Sequence, residues 1–187
     1  MITHRVVPPL AASALLVLLL LPGCLLIRTT EHRIRLNADG SGEALLRLVD
    51  IRSDALTDSA ARYDFAVMMT SFQEGGVKEF ESTGRKITGK RMFVRGDTLN
   101  AEITYAFPTL DAVEVLRKTG DEIFIVVTPE REILRTNGKV AAGENNARRI
   151  VWSAGAERLN YVIRERVLPQ SVSLAEWYRQ YEQKGGL

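Results

Sequence analysis

The stretch Arg33-Ile34-Arg35-Leu36-Asn37-Ala38-Asp39-Gly40-Ser41-Gly42-Glu43-Ala44-Leu45-Leu46-Arg47-Leu48-Val49-Asp50-Ile51 decides how the rest of this chain is read. Ile34 and Leu36 alternate with Arg33, Arg35 and Asn37, the two-residue period of a strand with one buried face. Asp39-Gly40-Ser41-Gly42 supplies turn chemistry, and Glu43–Ile51 runs back enriched in Val and Leu. The segment reads as a β-hairpin with a glycine-rich loop, so antiparallel pairing is the local rule. Ser41, held between two glycines, is explained by that turn rather than by nucleophilic attack.

Working outward, a helix is expected after the hairpin. Asp54, Thr57 and Asp58 offer caps, and Ala61, Phe65, Met68, Met69 and Phe72 recur at helical spacing. Gly75-Gly76 should stop it. Val77–Ser82 and Lys86–Arg95 read as extended, Gly96-Asp97 as a tight turn, and Thr98–Phe107 as a returning strand with Leu99, Ala101, Ile103 and Tyr105 on one face. Pro108 breaks that strand, and Thr109 is expected to cap a short helix carrying Leu110, Val113 and Leu116. Ile123–Thr128 is almost continuously apolar, the pattern of a strand buried on both faces. Glu132–Thr136, Arg148–Trp152 and Leu159–Arg166 complete the strands.

The last element is a helix. Ser173 and Glu176 read as its capping box, with Leu174, Trp177, Tyr178 and Tyr181 at i, i+3, i+4, i+7. Trp177, Tyr178 and Tyr181 form a candidate interaction surface. A membrane surface competes for such a stripe, but packing on the domain's own sheet is preferred. The architecture expected is α+β: a largely antiparallel sheet with two or three helices packed on one face.

The N-terminus carries the sharpest signal about location. An apolar run, Leu10–Leu21, is followed by Pro22, Gly23 and Cys24, the only cysteine in the chain. The run has the length of a signal-peptide core and falls short of the roughly 20 residues needed to span a bilayer. Leu21-Pro22-Gly23-Cys24 is similar to the cleavage signal of bacterial lipoproteins, in which the cysteine is acylated and becomes the mature N-terminus. Residues 1–23 are then a signal peptide, and residues 24–187 one envelope domain anchored through Cys24. An ordinary secretory signal and a single span over residues 10–27 are the competing readings. Multiple acyl chains give stable attachment where one does not. Leu25 after the cysteine, in place of an inner-membrane retention Asp, points to an outer membrane facing the periplasm in a Gram-negative host.

Composition sets further bounds. The chain has 25 Lys and Arg against 23 Asp and Glu, too near neutrality to argue for nucleic acid. Arg148, Arg149, Arg158, Arg164 and Arg166 could meet anionic headgroups, although a solvated sheet face explains them better. With Cys24 acylated, no thiol remains for a disulfide.

Candidate chemistry is sparse. His32 is the one histidine beyond the signal segment, placed on what reads as an edge-like strand, and zinc or copper sites draw on several His and Cys ligands. No metal site or cofactor is expected, and no Gly-x-Ser-x-Gly, Walker loop or dinucleotide fingerprint occurs. Glu130 with Glu132, and Glu79 with Glu81, are the carboxylate pairs expected to share strand faces; on an exposed strand such pairs serve solvation. An enzyme is not expected.

Together, the Cys24 signal, the charged strand at Arg33–Asn37, the Asp39-Gly40-Ser41-Gly42 turn, a helix, and a later hairpin closing on Tyr105-Ala106-Phe107-Pro108 resemble the LppM-like domain family of bacterial lipoproteins. The resemblance covers Cys24 to Leu116. It implies an envelope-anchored mixed α/β domain with lipid-binding capacity, and it carries over no catalytic residue. Members often add a C-terminal membrane segment, for which Tyr161–Leu187 is too polar. The function expected is a non-catalytic envelope lipoprotein, attached to the membrane through acylated Cys24, that binds an envelope protein or stabilises an assembly. The alternative is a lipid or hydrophobic-ligand binding domain.

Overall fold

Strands β1 (Leu25–Leu36) and β2 (Gly42–Ser53) form the expected hairpin, in register from Leu36 opposite Gly42 to Leu25 opposite Ser53. They open a computed structural model that describes residues 25–55, 57–166 and 170–185. The Asp39 carboxylate closes the turn, accepting the Ser41 N–H at 3.0 Å and the Ser41 hydroxyl at 2.7 Å. The signal residues Leu21, Pro22 and Gly23 and the lipidation residue Cys24 lie outside the described residues.

Helix α1 (Asp58–Thr70) begins at Thr57, whose hydroxyl accepts the Ala60 N–H at 3.3 Å. The expected stop at Gly75-Gly76 does not occur. Ser71–Gly75 form a π-helical turn and the chain continues as α2 (Gly76–Ser82), so Val77–Ser82 is helical, not extended, and Glu79 and Glu81 lie on a helix. Two glycines cost a helix about 2 kcal/mol. Burial of Phe80, edge-on to Tyr105 with ring centroids 4.9 Å apart, offsets that cost.

A second hairpin, β3 (Lys86–Arg95) and β4 (Thr98–Phe107), docks β4 against β2. The segment after Pro108 makes one 3₁₀ turn, Leu110–Ala112, in place of the short helix expected. Val113 and Leu116 are nonetheless buried. The chain then alternates between two sheets. β5 (Arg117–Thr119) and β6 (Glu122–Val127) start the second sheet, and β7 (Arg131–Thr136) returns to the first. β8 (Lys139–Ala142) and β9 (Arg148–Ser153) complete the second, and β10 (Arg158–Glu165) rejoins the first. β11 (Val172–Ser173) pairs with β2, and α3 (Ala175–Gln183) ends the fold. The seven-stranded sheet has the order β3-β4-β2-β1-β10-β7, with β11 beside β2; the four-stranded sheet has the order β5-β6-β9-β8. Pairing is antiparallel throughout, and the class is α+β.

One face of the large sheet is covered along its length. α1 and α3 cover one half, burying Met68, Met69 and Tyr178 against Leu48, Leu99 and Ala101. The small sheet and α2 cover the other, where Ile125, Ile150 and Trp152 meet Ile103, Leu159 and Tyr161. β6 is therefore buried on one face only: Ile123, Ile125 and Val127 point inward, while Val126 is 55% exposed. Asn137 stitches the two layers, its side-chain oxygen accepting from Trp152 Nε1 and the Asn160 N–H, both at 2.8 Å.

The capping box expected at α3 is absent. Leu174 occupies the cap position; Ser173 Oγ accepts the Ala175 N–H at 3.3 Å and donates to the Asp97 carbonyl, while Glu176 turns to Arg179 and Gln180. Among the described residues, no helix is long and apolar enough to cross a membrane.

Candidate functional site

Strand alternation that sends Ile34, Ala44, Ile103 and Leu159 into the core sends their neighbours to the opposite face of the large sheet, which no helix or second sheet covers among the described residues. The register places Arg91, Glu102, Arg47 and Glu31 side by side across β3, β4, β2 and β1, charges alternating along the row. Arg91 Nη2 is 2.5 Å and Arg47 Nη2 2.6 Å from Glu102. Glu31 takes three arginines: Arg33 at 2.5 Å, Arg47 at 3.2 Å and Arg135 at 3.3 Å. The arginine side chains lie over both carboxylates, which is why Glu31 and Glu102 are buried on an open face. Burial pushes the Glu102 carboxyl upward, but hydrogen bonds from Arg91 and Arg47 outweigh it and hold the group below the usual carboxylate range.

Beyond this ladder, toward the Leu36 end of β1, the open face is hollowed into a groove of about 760 Å³. Its arginines are Arg33, Arg35, Arg135 and Arg158, against Glu31 and Glu43. Leu45 and Val162 supply apolar patches on its floor. Arg35 stands directly opposite Arg158 in the β1–β10 register. At roughly 3.3 Å per residue, these side chains sit roughly 30 Å along β1 from Leu25.

Beneath the groove, on the covered side, His32 lies between two tyrosines. Its Nε2 is 2.7 Å from the Tyr105 hydroxyl and its Nδ1 is 2.9 Å from that of Tyr161. Burial, with a smaller contribution from the Arg85 cation, pushes the His32 pKa from 6.5 down to about 3. Burial also drives both tyrosine hydroxyls upward, so all three groups are neutral at physiological pH. One ring nitrogen donates to a hydroxyl and the other accepts from one. β1 is a central strand between β2 and β10, not the edge-like strand expected, and this explains the depth of His32. A histidine so enclosed serves as a satisfied core group.

The aromatic residues of α3 are turned into the domain. Tyr178 is 8% exposed and donates its hydroxyl to the Met92 carbonyl at 2.7 Å. Tyr181 meets Phe65 edge-on and accepts from Gln73 Nε2 at 2.9 Å, and the Arg62 guanidinium lies over the Trp177 ring. The carboxylate pairs separate: Glu130 lies in the β6–β7 turn, while Glu132 on β7 binds Arg164 at 2.7 Å. Among the described residues, no group of three or more His, Cys, Asp or Glu could hold a metal ion.

Of the basic residues singled out from sequence, Arg158 and Arg164 share the open face. Arg149 belongs to the small sheet, over the Phe124 ring. The groove itself depends on arginines from β1, β7 and β10, which the sequence keeps up to 125 positions apart, so strand alternation was its only linear signal.

No family model, curated protein or solved structure matches this chain.

Proposed function

We propose that this chain is a non-catalytic domain of a membrane-anchored envelope lipoprotein, held through acylated Cys24 and acting by binding a protein partner on the open face of its large sheet. The observation that carries this reading is the groove: a recessed, arginine-rich surface built on the rigid centre of a sheet. Rigid elements hold contact groups more accurately than loops do. β1 begins at Leu25, the residue after Cys24, so a lipid on Cys24 would hold the folded body close to the membrane. The groove would then lie roughly 30 Å out along β1, facing the aqueous compartment.

The position of His32 agrees with a non-catalytic role, because a general base must reach a substrate proton. An apolar ligand beneath α1 draws less support. Phe65, Met68 and Met69 there lie against Leu48, Ile51 and Leu99, whereas the described groove is open and charged. The resemblance to LppM-like domains and the leader sequence support the cell envelope as the location, with the periplasmic side of an outer membrane favoured in a Gram-negative host.

Native mass spectrometry of the full-length protein extracted from its own cells tests the proposal. The expected result is an acylated chain beginning at Cys24 with a stoichiometric protein companion. A chain retaining residues 1–23, or an acylated chain bearing only a lipid-sized adduct, would overturn it.

A further inference from the structure

Among the described residues, two of the four groove arginines form no side-chain ion pair, and outside the Glu31 cluster their two charges share one groove carboxylate, Glu43, which stands opposite Arg35 on β2. Arg33 and Arg135 are bound to Glu31. Among the described residues, neither Arg35 nor Arg158 makes a side-chain ion pair, and both are exposed to the groove. They are also cross-strand neighbours, Arg35 opposite Arg158, so their Cβ atoms stand roughly 5 Å apart. Like charges placed directly opposite destabilise a sheet. An anion between them would relieve that repulsion through charge-assisted, bidentate hydrogen bonds, for which planar guanidinium groups are suited.

We propose that the Arg35–Arg158 pair anchors an acidic, extended peptide segment of the partner protein, with a carboxylate of that segment held between the two guanidinium groups. This rests on the anchored-interaction reading above. Three features favour a peptide over a small anion. The groove crosses β2, β1 and β10 and is open, whereas an isolated phosphate calls for a compact nest. Leu45 and Val162 offer apolar contacts beside the charges, and Thr104 and Asn160 add polar side chains, a mixture suited to successive residues of an extended chain. Distance is the third: roughly 30 Å from Leu25, the pair stands away from the headgroups of a membrane that would hold Cys24.

The test uses the full-length lipidated protein in detergent and a fluorescein-labelled hexaglutamate peptide, followed by anisotropy. Saturable binding that weakens as salt rises from about 50 to about 300 mM is expected. The double variant Arg35→Ala/Arg158→Ala should lose at least about tenfold in affinity. Arg117→Ala, on the small sheet, should stay within about twofold of the parent, as expected for a charge outside the groove. Absence of hexaglutamate binding, or equal losses in the double variant and Arg117→Ala, overturns the proposal. Complete competition by inorganic phosphate or by anionic lipid vesicles also overturns it, because the site would then read phosphate. In native mass spectra, a companion lost from the double variant supports the groove. A companion retained by that variant overturns the groove while leaving the broader anchored-interaction reading intact.

Discussion

The His32 imidazole Nε2 lies 2.7 Å from the Tyr105 hydroxyl, inside the core where the two sheets meet. Neither ring is exposed beyond 2%. The pair fixes β1 against β4 across β2, and through Tyr161 it reaches β10 as well.

This buried imidazole makes stability depend on pH. Its native pKa is pushed down to about 3 from 6.5. Below 6.5 the unfolded chain takes up a proton that the native state refuses. The contribution is therefore complete above about pH 6.5 and is lost as pH falls toward about 3, at up to about 1.4 kcal/mol per unit. Urea midpoints between about pH 7 and about pH 5 should show this slope, and His32→Phe should flatten it. The same variant should cost about 2–4 kcal/mol near neutrality by stranding two buried hydroxyls. An unchanged slope in His32→Phe would refute the assignment.

Glu102 acts in a lower window. Its native pKa is depressed, so the stability it adds is present above the ordinary carboxylate range and lost as pH falls through its folded value. Glu102→Gln should destabilise the domain near neutral pH, by about 1 kcal/mol or more. The gap from the parent should close in strong acid, which paired chemical denaturation curves can read directly.

Gly138 is where the chain crosses from β7 to β8. A Cβ there would sit 2.7 Å from both Ile150 Cγ2 and Trp152 Cε2. Gly138→Ala should therefore cost about 1–3 kcal/mol through overpacking. Gly155→Ala meets nothing within 4 Å and serves as the control. Comparable midpoints for the two variants would contradict the close approach.

The Tyr178 hydroxyl ties α3 to β3 at the Met92 carbonyl. Tyr178→Phe should cost about 1 kcal/mol, visible as a fall of about 2–4 °C in Tm. A larger loss is expected from Tyr178→Ala, which also empties part of the core beneath α3.

Where a soluble version starts should matter. Removing Leu25–Arg28 deletes a buried leucine, the strand pairs with Ile51–Ser53, and the Arg28–Asp50 ion pair at 3.0 Å. A chain beginning at Thr29 should be less stable than one beginning at Leu25 by about 3 kcal/mol or more. Equal urea midpoints would show that the first four residues of β1 contribute nothing.

Much of the local structure was legible because it is local. The Asp39–Ser41 turn, the Thr57 cap and the alternation through Leu99, Ala101, Ile103 and Tyr105 each rest on residues a few positions apart. The misreadings occurred where distant packing intervened. Gly75-Gly76 signals a stop, yet Phe80 buried against Tyr105 carries the helix onward. Ile123–Thr128 looks buried on both faces, yet only alternate residues meet the large sheet. His32 reads as peripheral because strand order is invisible in one dimension, and β10, some 129 residues away in the hydrogen-bond partner Tyr161, makes β1 central.

By itself, the sequence determined which side chains of β1, β2 and β4 share a strand face, where the first hairpin turns, and the leader-and-cysteine pattern at Cys24. Periodicity, turn chemistry and peptide length act over short spans of chain, so they can be read in order. Only the tertiary structure decided that the strands divide into two sheets, that β1 lies at the centre of the larger, and that Arg35 faces Arg158. Strand pairing joins residues more than a hundred positions apart through backbone hydrogen bonds that any side chain permits, and the choice among pairings follows from how the whole set of apolar faces can be buried at once.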